Sequence, residues 1–84
     1  MTRLDRRLLS DNTEVGPDGM LRVGGCSVVD VADEYGTPVF VYDEQHLRDR
    51  CREAVAAFGR DRVIYATKAF LCRAMARLAF DEGM

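Results

Sequence analysis

Apolar positions recur at helical spacing in the second half of this 84-residue chain. Between residues 44 and 58 they return every three to four positions, which is typical of one face of a helix. Asp43 stands where a capping residue belongs, and Gly59 stands where such a helix ends. A further helix is predicted over residues 72–82, with Gly83 as its glycine cap. The inner face of that helix is expected to comprise Leu71, Met75, Leu78 and Ala79.

Shorter apolar and β-branched runs predict three strands, over residues 20–23, 39–42 and 63–67. Turn residues at 16–19 precede the first run, and the pair Gly24-Gly25 follows it as a tight turn. The Ser27-x-x-Asp30 pattern then resembles a capping box that begins a short helix ending at Gly36. The run at 63–67 is nearly all apolar or β-branched, as in a parallel strand covered on both faces.

Composition is that of an ordinary globular chain, with 48% hydrophobic residues and a net charge of −2. No basic patch indicates nucleic-acid binding, and no run approaches the ~18 apolar residues of a membrane span. An early cluster of Arg3, Arg6 and Arg7 is interrupted by Asp5, so we interpret it as a loosely held or helical arm and not as a targeting peptide. These features predict a cytoplasmic protein without nucleic-acid or membrane partners.

Three cysteines at irregular spacing, Cys26, Cys51 and Cys72, predict free thiols and no metal site. We expect Cys51 and Cys72 to pack as small apolar side chains. The single histidine, His46, stands among charged residues at the start of a predicted helix, and we expect it to be solvated.

Lys68 is the only lysine in the chain, and it directly follows the predicted strand at 63–67. In α/β barrels the carboxyl ends of the strands carry the catalytic side chains. A lysine amine in such a pocket can attack an aldehyde and hold pyridoxal phosphate as a Schiff base. The alternative to a catalytic role is that Lys68 is a surface residue whose charged amine is solvated, as in most lysines.

Three stretches in order resemble the amino-terminal part of diaminopimelate decarboxylases. They are EYGTPVFVYD at 34–43, RCRE with AAFG at 50–59, and YATKAF at 65–70. The resemblance covers about residues 20–84 and implies an α/β fold, the opening portion of a pyridoxal-phosphate-binding (β/α)8 barrel. It implies that residues 1–42 form an arm, a short helix and a strand contributing to a β-sheet domain. Residues 43–84 would then be the first helix-strand-helix of the barrel, incomplete in this chain because a barrel needs roughly 200 residues or more.

The resemblance also implies a reaction and a site. Lys68 would hold pyridoxal 5′-phosphate, and the small side chain of Ala66 would let the cofactor approach. Tyr65 would face the opposite side of the strand and pack. The substrate would be a small amino acid, most simply meso-diaminopimelate decarboxylated to L-lysine, in an enzyme that is a homodimer at full length. Ornithine, arginine or lysine decarboxylation stays open, as does a non-catalytic remnant or interaction domain.

Overall fold

The computed structural model describes residues 5–84, in two compact units that divide after His46. The first unit contains a 3-10 turn at Arg6–Leu8, strands β1 (Thr13–Val15), β2 (Leu21–Val23) and β3 (Cys26–Ser27), and helix α1 (Val28–Tyr35). Helix α2 (Glu44–Phe58) begins at the end of this unit, and α3 (Arg73–Asp81) lies in the second. Of the arginines in the predicted arm, Arg3 lies outside the described residues.

The three strands form one antiparallel sheet in the order β1-β2-β3. Val23 pairs with Cys26 across a two-residue turn in which Gly24 and Gly25 have φ angles of 57° and 83°. Two consecutive positive φ angles are the geometry of the tight hairpin turn that glycine favours. The predicted strand at 20–23 and its following turn are therefore confirmed, whereas β1 and β3 went unpredicted because two- and three-residue strands carry almost no periodic signal.

Helix α1 forms where the sequence predicts it, but its predicted capping box is wrong. The side chain of Ser27 makes no capping hydrogen bond. Ser27 already belongs to β3, where it pairs with Arg22, so its conformation is set by the sheet. At the other end, the backbone N–H of Gly36 donates to Ala32 and its φ of 80° ends the helix as predicted.

Asp43 caps α2, as predicted, and also joins this helix to the segment before β1. Its Oδ1 accepts the backbone N–H of His46 at 3.2 Å, and its Oδ2 accepts the Ser10 hydroxyl at 2.8 Å. The Ser10 hydroxyl also lies 2.8 Å from that of Thr13, which is buried. Although burial opposes it, these hydrogen bonds hold the pKa of the Asp43 carboxyl below its usual value.

The sheet reaches the same carboxylate through its hairpin turn. A Cβ atom placed on Gly24 would lie 3.4 Å from Asp43 Oδ1, whereas one on Gly25 would meet nothing within 4 Å. The turn therefore packs on the helix cap through its first glycine alone.

His46 is held in place and is not solvated, which corrects the expectation from sequence. Its Nδ1 accepts the backbone N–H of Asp11 at 3.2 Å, and only 25% of its side chain is exposed. The partner residue precedes it by 35 positions. No local sequence pattern indicates such a contact.

Replacing Asp43 should destabilise the full-length protein that carries this segment. Asp43→Ala removes the cap and the carboxylate that accepts the Ser10 hydroxyl, and each loss costs about 1 kcal/mol or more. We expect a urea midpoint shift worth about 2 kcal/mol at pH 7, whereas Asp33→Ala, a change at an exposed carboxylate of α1, should shift it little.

The effect of Asp43→Ala should also depend on pH. Because the folded-state pKa of Asp43 is lowered, its contribution is complete above the unfolded-state value of about 3.9 and is lost as the pH falls through the folded-state value. The difference from the unmodified protein should thus be constant from pH 5 to 8 and shrink below about pH 4. A difference that grows on acidification would contradict this role.

The second unit has a small core between α2 and α3. Its buried apolar side chains are Cys51, Met75, Leu78 and Ala79, and the half-buried Leu47, Tyr65, Phe70 and Met84 pack against it. Burial also raises the pKa of the Cys51 thiol. The predicted packing of Cys51 is confirmed, but that of Cys72 and Leu71 is wrong. Both precede the first turn of α3 and are exposed, Leu71 by 59%.

The end of α3 is tied to α2 by charge. The Glu82 carboxylate accepts from Arg52 Nε at 2.6 Å and from Arg48 Nη1 at 3.1 Å. The hydrogen bond from Arg52, with that from Arg48, lowers the pKa of Glu82. Gly83 follows with a φ of 95°, so the predicted glycine cap is confirmed.

Two of the predicted strands, at residues 39–42 and 63–67, are not formed. Both segments are apolar but largely open, with Phe40 91% and Ile64 90% exposed. A β-strand exists only through hydrogen bonds to a neighbouring strand, and no segment of residues 5–84 is aligned beside either run. Composition favours strands there, and pairing with another segment would decide whether they form.

Candidate active site

Lys68 lies in an exposed turn and not at the buried end of a strand, which corrects the predicted geometry. The backbone N–H of Ala69 donates to the carbonyl of Ala66 at 3.4 Å and closes this turn. Both Ala66 and Lys68 are exposed. Within the described part of the chain, Lys68 makes no hydrogen bond or ion pair. Its amine is therefore available to an external group.

The turn is bracketed by two aromatic residues, Tyr65 and Phe70. Both are half-buried and pack on the core of the second unit. The Tyr65 hydroxyl donates a hydrogen bond to the backbone carbonyl of Phe70. Tyr65 therefore packs, as predicted, whereas its neighbour Ala66 is exposed. Its hydrogen bond was missed, because a tyrosine in an apolar run gives no indication of where its hydroxyl points.

Beside the turn lies an open apolar cleft of about 290 Å³. It runs along α3, and its lining includes Val63, Ile64, Thr67, Leu71 and Phe80. Thr67 directly precedes Lys68 in the chain. The side chains that line the cleft supply apolar surface and no charged group.

Other kinds of site receive little support within residues 5–84. No group of three or more His, Cys, Asp or Glu side chains is arranged to hold a metal ion there. All three cysteines carry free thiols. In the same range, no helix combines the length and apolar character needed to cross a membrane.

Comparison with known sequences identifies relatives of the chain. It is 52% identical to the diaminopimelate decarboxylase of Corynebacterium efficiens over 68 residues, which are 80% of this chain. By sequence, the chain belongs to the diaminopimelate decarboxylase family. No family model matches it.

Other diaminopimelate decarboxylases are similar over more of the chain. That of Mycobacterium tuberculosis H37Rv is 47% identical over 87% of it, and that of Mycobacterium leprae is 44% identical over its full length. The latter match includes Lys68 and its turn. This chain spans only 15 to 18% of the length of these diaminopimelate decarboxylases. The resemblance given by the three sequence stretches is thus confirmed.

Proposed function

We propose that this chain is the lysine-bearing amino-terminal segment of a pyridoxal-phosphate-dependent decarboxylase. The substrate would be meso-diaminopimelate, and the products L-lysine and carbon dioxide. The observation that carries the proposal is the YATKAF stretch at 65–70, whose lysine is the only one in the chain, within a match to diaminopimelate decarboxylases. The segment would contribute the opening of a (β/α)8 barrel, with residues 1–42 serving a β-sheet domain and residues 43–84 the barrel.

The residues present fit the cofactor in one respect. Lys68 presents an amine without an internal partner among residues 5–84, on a turn whose neighbours Ala66 and Ala69 are small. When bound, pyridoxal phosphate supplies the electron sink for the bond to the departing carboxylate. Lys68 would hold the cofactor and release it to the incoming amino acid, and Ala66 would leave room for its approach. Residues outside this segment would grip the phosphate and choose the substrate.

The segments at 39–42 and 63–67, which form no strand in the structure, support the same proposal. Each is largely apolar and contains a strongly exposed side chain, Phe40 in one and Ile64 in the other, as expected of strands whose neighbours lie elsewhere in a larger fold. The full-length protein would be a homodimer acting on a small amino acid, as the resemblance implies.

Decarboxylation by the full-length protein tests the proposal. Carbon dioxide release should be measured with meso-diaminopimelate, ornithine, arginine and lysine as separate substrates, with and without added pyridoxal 5′-phosphate. We expect cofactor-dependent release from meso-diaminopimelate at a kcat/KM at least about 100-fold above the others, since leaving a site's buried polar groups unpaired costs several kcal/mol. Preference for another basic amino acid would reassign the substrate. A reading frame that ends at Met84 would favour a non-catalytic remnant.

A further inference from the structure

We propose that Tyr65 is a positioning residue for Lys68, acting through the hydrogen bond from its hydroxyl to the carbonyl of Phe70. The inference rests on the proposed function, since Lys68 must carry the cofactor for its placement to matter. It assigns Tyr65 no contact with substrate or cofactor. Its effect is exerted on the backbone that carries the lysine.

Both ends of the lysine turn are fixed to the same surface. Tyr65 precedes Lys68 by three residues and Phe70 follows it by two, and both pack on the cluster formed by Cys51, Met75 and Leu78. The residues between them are exposed. Lys68 is therefore part of a short exposed turn, and the residues at both ends of this turn, Tyr65 and Phe70, pack on the core.

The hydroxyl of Tyr65 links the two ends of the turn. It donates to the Phe70 carbonyl and so closes a loop over residues 65–70. Within this loop, the N–H of Ala69 donates to the carbonyl of Ala66 at 3.4 Å. Lys68 makes no hydrogen bond or ion pair among the described residues. The point at which its side chain is attached is therefore set by the backbone, and the Tyr65 hydroxyl closes the larger of the two hydrogen-bonded loops in that backbone.

A fixed backbone matters for a covalent link to a cofactor. The long side chain of lysine loses rotamer freedom when its amine is bonded, and a mobile turn would have to be ordered as well. A turn that is already ordered avoids the second cost, which is the general benefit of preorganisation. A phenylalanine at position 65 would keep the ring packing and lose only the hydrogen bond, so the two contributions can be separated.

The test compares two tyrosine variants of the full-length protein, Tyr65→Phe and Tyr35→Phe. Tyr35 is 71% exposed at the end of α1 and provides the same chemical change away from the turn. The apoproteins are titrated with pyridoxal 5′-phosphate, and the Kd is obtained from the absorbance of the bound cofactor. We expect Tyr65→Phe to raise the Kd roughly 3- to 10-fold, the value of one hydrogen bond, and Tyr35→Phe to leave it unchanged.

Amide hydrogen exchange on the apoproteins gives a readout independent of the cofactor. The N–H of Ala69 should exchange slowly in the unmodified protein and several-fold faster in Tyr65→Phe. If Tyr65 only packs, the phenylalanine variant will show an unchanged Kd and unchanged exchange, and the inference is overturned. Should Tyr65→Phe fail to fold, exchange in the unmodified protein decides. Slow exchange of the Ala69 amide supports the ordered turn that the inference requires, and exchange as fast as in an unstructured peptide overturns the inference.

The same data separate this inference from the proposed function. An unmodified protein that does not bind pyridoxal 5′-phosphate, or binds it without modification of Lys68, overturns the proposed function and with it the role of Tyr65. Covalent binding at Lys68 with equal affinity in Tyr65→Phe overturns the positioning role alone.

Discussion

Lys68→Ala in the full-length protein is expected to abolish both turnover and the absorption band of the covalently bound cofactor. The amine is the group that forms the covalent link, and an alanine offers nothing in its place. Loss of a covalent catalytic group typically costs several orders of magnitude in rate, so residual activity should be at least about 1,000-fold lower. Rates should be measured as carbon dioxide release and the cofactor link by its absorbance.

Within residues 1–84, Lys68 is the only lysine that could carry the cofactor. Borohydride reduction followed by peptide mapping should place the cofactor on the peptide that contains residues 65–70. Arg50→Ala is the matched control, since it removes an exposed cation that pairs with Glu53 at 3.0 Å on the surface of α2 and should leave activity intact. A reducible cofactor adduct that persists in Lys68→Ala would refute the assignment.

The 84-residue chain by itself is expected to unfold without a cooperative transition. Among the described residues, only Cys51, Met75, Leu78 and Ala79 are buried apolar side chains. Burial of apolar surface is the main favourable term, at ~25 cal/mol per Å², and must offset about 1–2 kcal/mol of backbone entropy per ordered residue. A core of this size cannot offset that cost over the whole segment.

Two exposed apolar runs also favour unfolding without a cooperative transition. Residues 39–42 and 63–67 lack the strand neighbours that would bury them, and their open edges favour association between chains. Urea unfolding followed by circular dichroism at micromolar concentration should give a broad curve without a folded baseline, and binding of pyridoxal 5′-phosphate should be weak. A sharp transition from a monomer would show that the segment is a domain in its own right. The full-length protein, measured in parallel, should unfold cooperatively.

Local signals in the sequence were sufficient for the helices. The apolar period of α2, the cap at Asp43 and the glycines that follow α2 and α3 all act within a few residues, and the structure confirms them. The strands differ, because a strand is defined by a partner that sequence composition does not name. The run at 63–67 has the residues of a strand and no partner among residues 5–84.

The site shows the same division. The lysine itself could be singled out from the motif around it, and its role as the cofactor residue stays a prediction. Its exposed turn could not be foreseen, because exposure depends on which neighbours are present. The contacts of Tyr65 with Phe70 and of His46 with Asp11 depend on how the backbone folds back on itself. The second joins residues 35 positions apart, beyond the reach of any local pattern.

The hairpin glycines have a consequence for sequence variation in this segment. A Cβ atom at Gly24 would lie in van der Waals contact with the Asp43 carboxylate that caps α2, so a substitution there must adopt a positive φ and also fit beside that carboxylate. Gly25 faces open space, so its positive φ alone restricts substitution there. Two adjacent glycines that look interchangeable in the sequence thus have different surroundings, because only the first lies against the residue that caps α2.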